Sequence, residues 1–143
     1  MWNSRCSRPP PERAARIGVM QMAGILVVED DADIAMILRE ILEMAGHDVA
    51  IAVDGAHALE LLESDPLPNV VLADLKMPRI GGKRLVETLR SNPRTTALPV
   101  ILVTGAIPNT DDFPSDGSYS SLIMKPFDMW DVVDRVDLVT EGR

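Results

Sequence analysis

The feature that most constrains the fold is a regular alternation of short apolar runs with helical patterns, which begins at Gly24 and continues almost to the end of the chain. The first run, Ile25-Leu26-Val27-Val28, has no polar interruption, as is typical of a strand buried on both faces. Further strands are predicted at residues 48–53, 69–74, 98–104 and 120–124. Because strands separated by helices need crossover connections, the pattern predicts an α/β fold with a doubly wound parallel sheet.

Four helices are predicted between and after these strands. The first covers about 13 residues, begins after an N-cap at Asp31 and ends at Gly46. The others are predicted at residues 55–64, 82–92 and 128–139. The segment 106–120 differs, because Pro108, Pro114 and several small polar residues oppose helix formation. We therefore expect a short or irregular, mobile structure there in place of a full helix.

Composition and charge place limits on the partners of the chain. The 143 residues fit one domain, and no apolar run approaches the roughly 18 residues of a membrane span. Residues 1–22 hold four arginines, one glutamate and three consecutive prolines without any periodicity, which predicts a disordered extension before a folded domain at 23–143. This extension carries +3 of the total charge of −8, which leaves −11 for the other 121 residues. A folded domain with this negative charge is not expected to bind nucleic acid or anionic membranes.

The cysteine content indicates the compartment. Cys6 is the only cysteine, which excludes an intramolecular disulfide and a cysteine-based zinc site. The absence of an apolar stretch after the basic start argues against a signal peptide. We expect a cytoplasmic protein.

Polar residues with chemical potential follow the predicted strands at their carboxyl ends. Glu29-Asp30-Asp31 follows the first strand, Asp74 ends the third, Thr104 ends the fourth, and Lys125 follows the fifth. In an open parallel sheet these ends lie along one edge, where ligands bind. Clustered carboxylates repel one another unless a cation is present, and oxygen ligands of this kind suit Mg²⁺.

At these residues the chain resembles the receiver domains of two-component response regulators. The matching motifs are LVVEDD at 26–31, DLKMPRIGG at 74–82, VILVTG at 100–105 and IMKPF at 123–127. The resemblance covers about residues 23–140 and implies the flavodoxin-like strand order 2-1-3-4-5 of single-domain, CheY-like proteins. It also implies a cis peptide bond between Lys125 and Pro126.

The resemblance further implies a chemistry for the site. Asp74 is the expected phosphoacceptor, assisted by Lys125 and Thr104. Mg²⁺ is expected on Asp30, Asp74 and the backbone carbonyl of Lys76, with Glu29 acting through water. The expected partners are a sensor histidine kinase or a histidine phosphotransfer protein, and a downstream protein that the sequence does not name. On this reading the protein is no enzyme beyond its own phosphoryl transfer and dephosphorylation.

Two departures from the family pattern keep alternatives open. The aromatic residue that the family often has three positions before its lysine is Leu122 here, with Tyr119 three residues further back. The irregular segment 106–120 occupies the place of an output helix. A stand-alone receiver acting by protein contact or as a phosphate sink is the first hypothesis, and a degenerate, unphosphorylated interaction module is the alternative.

Two other classes fit less well. A haloacid-dehalogenase-type phosphatase needs a second aspartate two residues after its nucleophile, where this chain has Lys76. A nucleotide- or flavin-binding module of similar fold would need a glycine-rich first loop, which residues 29–33 do not form.

Overall fold

The computed structural model describes residues 24–105, 113–115 and 117–141. The proposed disordered extension at 1–22 lies outside these residues, as do residues 106–112 and 116 of the segment for which we predict an irregular, mobile structure.

Five parallel strands form one sheet in the order β2-β1-β3-β4-β5, which confirms the predicted topology. The strands are β1 (Gly24–Val28), β2 (Asp48–Ala52), β3 (Val70–Asp74), β4 (Val100–Thr104) and β5 (Ser121–Met124). The three central strands are apolar and almost completely buried, because helices cover both faces of the sheet. The predicted strand ends agree with the observed ones to within two residues.

The described residues contain four helices: α1 (Ala32–Met44), α2 (Gly55–Leu61), α3 (Gly82–Ser91) and α4 (Met129–Glu141). Asp31 caps α1 as predicted, since its side chain accepts hydrogen bonds from the backbone N–H groups of Asp33 and Ile34. Helix α2 ends three residues earlier than predicted. Past its end, the side chain of Arg94 donates to the carbonyl oxygens of Leu62 and Ser64, which the helix no longer pairs.

The helices divide the core into two layers. Helices α2 and α3 pack on one face of the sheet, where Leu85, Val86 and Leu89 are fully buried. Helices α1 and α4 pack on the other face through residues such as Leu38 and Val132. This double covering leaves the strand ends as the place where polar side chains from several strands meet.

The described residues of the segment that leads into β5, 113–115 and 117–120, are not helical, although they pack on the core. The rings of Phe113 and Tyr119 lie with their centroids 6.4 Å apart, and both side chains contact the buried layer under α2 and α3. Arg90 of α3 donates a hydrogen bond from Nε to the carbonyl oxygen of Ser118 at 2.8 Å. Within the described part of the chain, none of the helices has the length and apolar character of a membrane span.

Candidate functional site

The chain reverses its direction of travel across the sheet between β1 and β3, and the carboxyl ends of these two strands carry the acidic residues. From β1 the chain crosses to β2 on one side, and from β2 it returns to β3 on the other side. Glu29 and Asp30 follow β1 directly, and Asp74 is the last residue of β3. This is the switch point at which open α/β sheets bind their ligands.

The structure brings the three acids together. One carboxylate oxygen from each of Glu29, Asp30 and Asp74 lies within 4.8 Å of the others. Glu29 is buried, Asp30 is exposed, and the Asp74 side chain is only 11% exposed. The cluster is therefore closed to solvent on the side of Glu29 and open on the side of Asp30, and Asp74, the candidate nucleophile, is largely buried.

Lys125 supplies a positive charge to this cluster. Its Nζ atom lies 3.2 Å from Oε1 of Glu29 and 3.5 Å from Oδ2 of Asp74. The side chain is 21% exposed, so the ammonium group is partly shielded from water. The backbone N–H of Lys125 donates to the carbonyl oxygen of Thr104 at 2.8 Å, which joins the two predicted residues at the ends of β4 and β5.

The electrostatic state of Glu29 differs from that of an ordinary surface acid. Burial, aided by the negative charge of Asp74, raises the pKa of Glu29 from 4.5 to about 7. A hydrogen bond from the Asp31 N–H and the charge of Lys125 oppose this rise without cancelling it. The burial of Glu29 thus outweighs the stabilisation that the Asp31 N–H and Lys125 give to its charged form.

The loop after Asp74 returns tightly on itself before α3. Gly82 donates its N–H to the carbonyl oxygen of Leu75 at 2.8 Å. A Cβ atom at Gly82 would lie 2.8 Å from the carbonyl oxygen of Asp74 and 2.9 Å from Cα of Leu75. The DLKMPRIGG motif therefore ends in glycine because the first turn of α3 contacts the backbone that carries Asp74. Lys76 lies in this loop with an exposed side chain.

The remaining predicted site residues also lie at this edge. Thr104 ends β4 and is 1% exposed. The peptide bond between Lys125 and Pro126 is cis, as expected. Leu122 and Tyr119 are half-buried against the layer under α2 and α3, on the segment leading into and forming β5.

One charged pair near the site was not predicted from the sequence. Asp54, after β2, forms an ion pair with Arg79 of the loop that follows Asp74. The available signal was weak: an Asp-Gly step before a helical pattern suggests only an N-cap, and Arg79 is separated from Asp54 by 25 residues. Pairing of this kind depends on which loops the fold places side by side.

The donor set fits a hard divalent cation. Carboxylate oxygens from three residues converge, and Asp30 leaves one side open to water. Mg²⁺ is bound in proteins through one or two carboxylates and retains several waters.

The fold and this edge define the class: a doubly wound α/β protein with an acidic, lysine-paired site at its switch point. Residues 25–137 match the response regulator receiver domain family, and the chain belongs to that family. Receiver domains are the phosphorylated components of two-component systems and bind Mg²⁺ at an acidic pocket. The predicted family and fold are thus confirmed.

Individual proteins show the extent of the similarity. The DNA-binding transcriptional regulator RpaA of Synechocystis is 33% identical over 116 residues, which are 80% of this chain and 48% of RpaA. A CheY-like receiver domain protein of Methanospirillum hungatei is 27% identical with a TM-score of 0.76, over 85% of this chain and 96% of that one. The response regulator TrrA of Thermotoga maritima, in complex with Mg²⁺ and BeF, is 26% identical with a TM-score of 0.73, over 82% and 99%.

The chain spans about half the length of RpaA, and about a third of the transcriptional regulatory protein CpxR of Escherichia coli. What those whole regulators do is therefore a property of longer chains.

Proposed function

We propose that this chain is a phosphoacceptor in which Asp74 takes a phosphoryl group from the phosphohistidine of a sensor histidine kinase or a histidine phosphotransfer protein. The observation that supports this most is the environment of Asp74. Its carboxylate lies at the end of a buried strand, 3.5 Å from the Lys125 ammonium group and beside two further acids. A carboxylate in that position is held in place and is still open to a donor from the Asp30 side.

The residues can carry out the transfer without further groups of the protein. An oxygen of Asp74 attacks the phosphorus atom, and the P–N bond of the donor breaks, with its electron pair returning to the imidazole. Lys125 would then pair with the phosphoryl oxygens in place of the carboxylate alone. Thr104 would donate its hydroxyl hydrogen to one of these oxygens, which connects the site to the segment after β4.

We propose that Asp30, Asp74 and the carbonyl of Lys76 hold Mg²⁺, with Glu29 contributing through a bound water. When bound, Mg²⁺ supplies positive charge that offsets the repulsion between the carboxylates and the incoming phosphoryl group. The buried Glu29 carboxyl would then be held in its charged form. No reaction on a separate substrate is proposed, because the acceptor is the protein's own side chain.

Output is proposed to run through protein contacts that differ between the two phosphorylation states, or through removal of phosphoryl groups from a shared donor. Direct nucleic-acid binding by residues 23–143 is not proposed, since they carry a net charge of −11.

The test is incubation with acetyl phosphate and Mg²⁺, followed by intact mass. We expect a gain of about 80 Da, the mass of one phosphoryl group, that Asp74→Asn abolishes. An equal gain in Asp74→Asn would show that the acceptor is a different residue. If the wild-type protein gains no mass from either acetyl phosphate or a phosphorylated phosphotransfer protein, the alternative of an unphosphorylated interaction module replaces this proposal.

A further inference from the structure

A bidentate ion pair joins the loop after Asp74 to the turn after β2. Arg79 donates from Nε to Oδ2 of Asp54 at 2.7 Å and from Nη2 to Oδ1 of the same carboxylate at 2.9 Å. Two parallel hydrogen bonds of this kind fix the relative orientation of both side chains, which a single contact does not. The bidentate ion pair therefore holds the loop at 75–81 against the turn at 53–57.

Asp54 is a firm anchor for this pair. The residue is 5% exposed, and its Oδ1 also accepts the backbone N–H of His57 at 2.8 Å as the N-cap of α2. The hydrogen bond from Arg79 and the one from the His57 N–H keep the pKa of Asp54 below its ordinary value. The carboxylate is thus charged at neutral pH and held in place by the helix that it caps.

The backbone of the loop meets the same turn. The N–H of Gly55 donates to the carbonyl oxygen of Ile80 at 3.0 Å, and a Cβ atom at Gly55 would lie 2.3 Å from that oxygen. Arg79 has a φ of +66°, a backbone conformation that glycine adopts freely and an arginine does not. A non-glycine residue in that conformation requires surrounding contacts that hold it there, and the ion pair with Asp54 is such a contact.

We propose that Asp54 and Arg79 are positioning residues for phosphoryl acceptance: their ion pair holds the loop at 75–81 in the conformation that completes the site. This inference rests on the proposed function. The loop begins directly after Asp74 and carries Lys76, whose carbonyl is the proposed third metal ligand from the protein. Neither residue of the pair belongs to the carboxylate cluster, so the pair acts through the loop.

Three variants separate positioning from general stability. Asp54→Asn keeps an oxygen to cap α2, but it replaces the oxygen facing Nε of Arg79 by an amide NH₂ group, which cannot accept a hydrogen bond. Arg79→Met removes the guanidinium group from a side chain that is 61% exposed, so the variant is expected to fold. Arg79→Lys restores the charge without the two-point geometry.

The matched control is Asp65→Asn. Asp65 forms the other aspartate–arginine pair in the described chain outside the helices, through a single contact with Nη2 of Arg94 at 2.6 Å. It lies on the connection from α2 to β3, which enters the sheet at the end opposite to Asp74. Each protein is measured for Mg²⁺ affinity by calorimetric titration, for phosphoryl uptake from acetyl phosphate by intact mass, and for its Mg²⁺-free melting temperature.

We expect Asp54→Asn and Arg79→Met each to weaken Mg²⁺ binding roughly tenfold, as is common when a group that orients metal ligands is lost. Phosphoryl uptake should slow by a similar factor at Mg²⁺ concentrations below saturation. The double variant should be no weaker than either single one, since one pair is lost in every case. Arg79→Lys should lie between Arg79→Met and the wild type, and Asp65→Asn should bind Mg²⁺ like the wild type.

An unchanged Mg²⁺ affinity in both single variants, with normal uptake, would overturn the positioning role while leaving the proposed function intact. The same holds if Asp65→Asn weakens Mg²⁺ binding as much as Asp54→Asn does, because the effect would then be one of general stability. A wild-type protein that neither binds Mg²⁺ nor gains mass would overturn the proposed function itself, and the positioning role with it.

Discussion

The Nζ atom of Lys125 lies 3.2 Å from Oε1 of Glu29, although the strands that precede the two residues are separated in the sheet by β3 and β4. Asp74 ends β3, one of the two strands between them, at the same edge of the sheet. Lys125 also lies 3.5 Å from Oδ2 of Asp74, so its charge neutralises part of the repulsion between the two carboxylates.

Lys125→Met should slow phosphoryl uptake by about 100-fold, the effect of losing one charged group that stabilises a developing negative charge. The pKa of Glu29 should rise further in this variant, because the charge and hydrogen bond of Lys125, which lower that pKa in the wild type, are lost. Uptake is followed by intact mass with acetyl phosphate. Arg39→Met is the control, since it removes a cation from an exposed pair on α1. Equal rates in Lys125→Met and the wild type would contradict the assigned role.

Asp30→Asn should abolish Mg²⁺ binding and yet stabilise the Mg²⁺-free protein. Removing the exposed carboxylate of three crowded ones relieves a repulsion of about 1 kcal/mol, the value for two charges about 4 Å apart in water. Thermal melting with EDTA and with millimolar Mg²⁺ measures both effects, and the exposed Asp48→Asn serves as the control. A wild-type melting temperature that does not change with Mg²⁺ would count against the metal site.

The Mg²⁺-free protein should lose stability as the pH rises from 5 to 8. The pKa of Glu29 is raised from 4.5 to about 7 on folding, so the folded protein binds the proton more tightly than the unfolded one. The contribution of the protonated Glu29 to the free energy of unfolding is complete below about pH 4.5 and is lost as the pH passes 7. Between these values the free energy of unfolding falls by at most about 1.4 kcal/mol per pH unit.

Denaturant unfolding in EDTA across this pH range gives the slope. Glu29→Gln should flatten it, because an amide does not titrate, whereas the exposed control Glu63→Gln should keep it. The same slope in Glu29→Gln and the wild type would assign the pH dependence to another group.

Gly82→Ala should reduce phosphoryl uptake as well as stability. A Cβ atom there would lie 2.8 Å from the carbonyl oxygen of Asp74, so the backbone of the acceptor must move. The control is Gly24→Ala, where the new Cβ would meet its neighbours at 3.7 Å, an ordinary contact. Intact-mass kinetics and thermal melting are measured together. Loss of stability with unchanged uptake would show that the displaced backbone is not that of the acceptor.

Arg90→Met should destabilise the protein by about 1–3 kcal/mol, because carbonyl groups then lose their hydrogen-bond donor. The Arg90 side chain donates to the carbonyl oxygens of Ser118, Thr95 and Thr96, and its burial lowers its pKa. Amide hydrogen exchange should accelerate at residues 117–120, in front of β5. Arg84→Met on the exposed side of α3 is the control. Unchanged exchange at 117–120 would show that other contacts hold this segment.

Much of the site was predictable because a parallel sheet puts the carboxyl ends of its strands along one edge. Glu29, Asp30, Asp74, Thr104 and Lys125 were assigned to that edge from the end of each apolar run, and the structure places all of them there. The C-terminus of α2 was predicted three residues too late, because the backbone carbonyls after Leu61 are paired by Arg94, a distant residue.

The sequence by itself determined the elements, their order and the chemical groups at the strand ends, since apolar periodicity and local caps depend on neighbouring residues. Only the tertiary structure decided which charged groups lie in contact with distant partners, as in the Asp54–Arg79 pair and the contacts of Arg90. It also decided how deeply Glu29 is buried, and hence that its pKa is raised. These depend on loops that are distant in the chain and on exclusion of water. Coulomb energy and desolvation are set by distance and burial in space, which the order of residues does not contain.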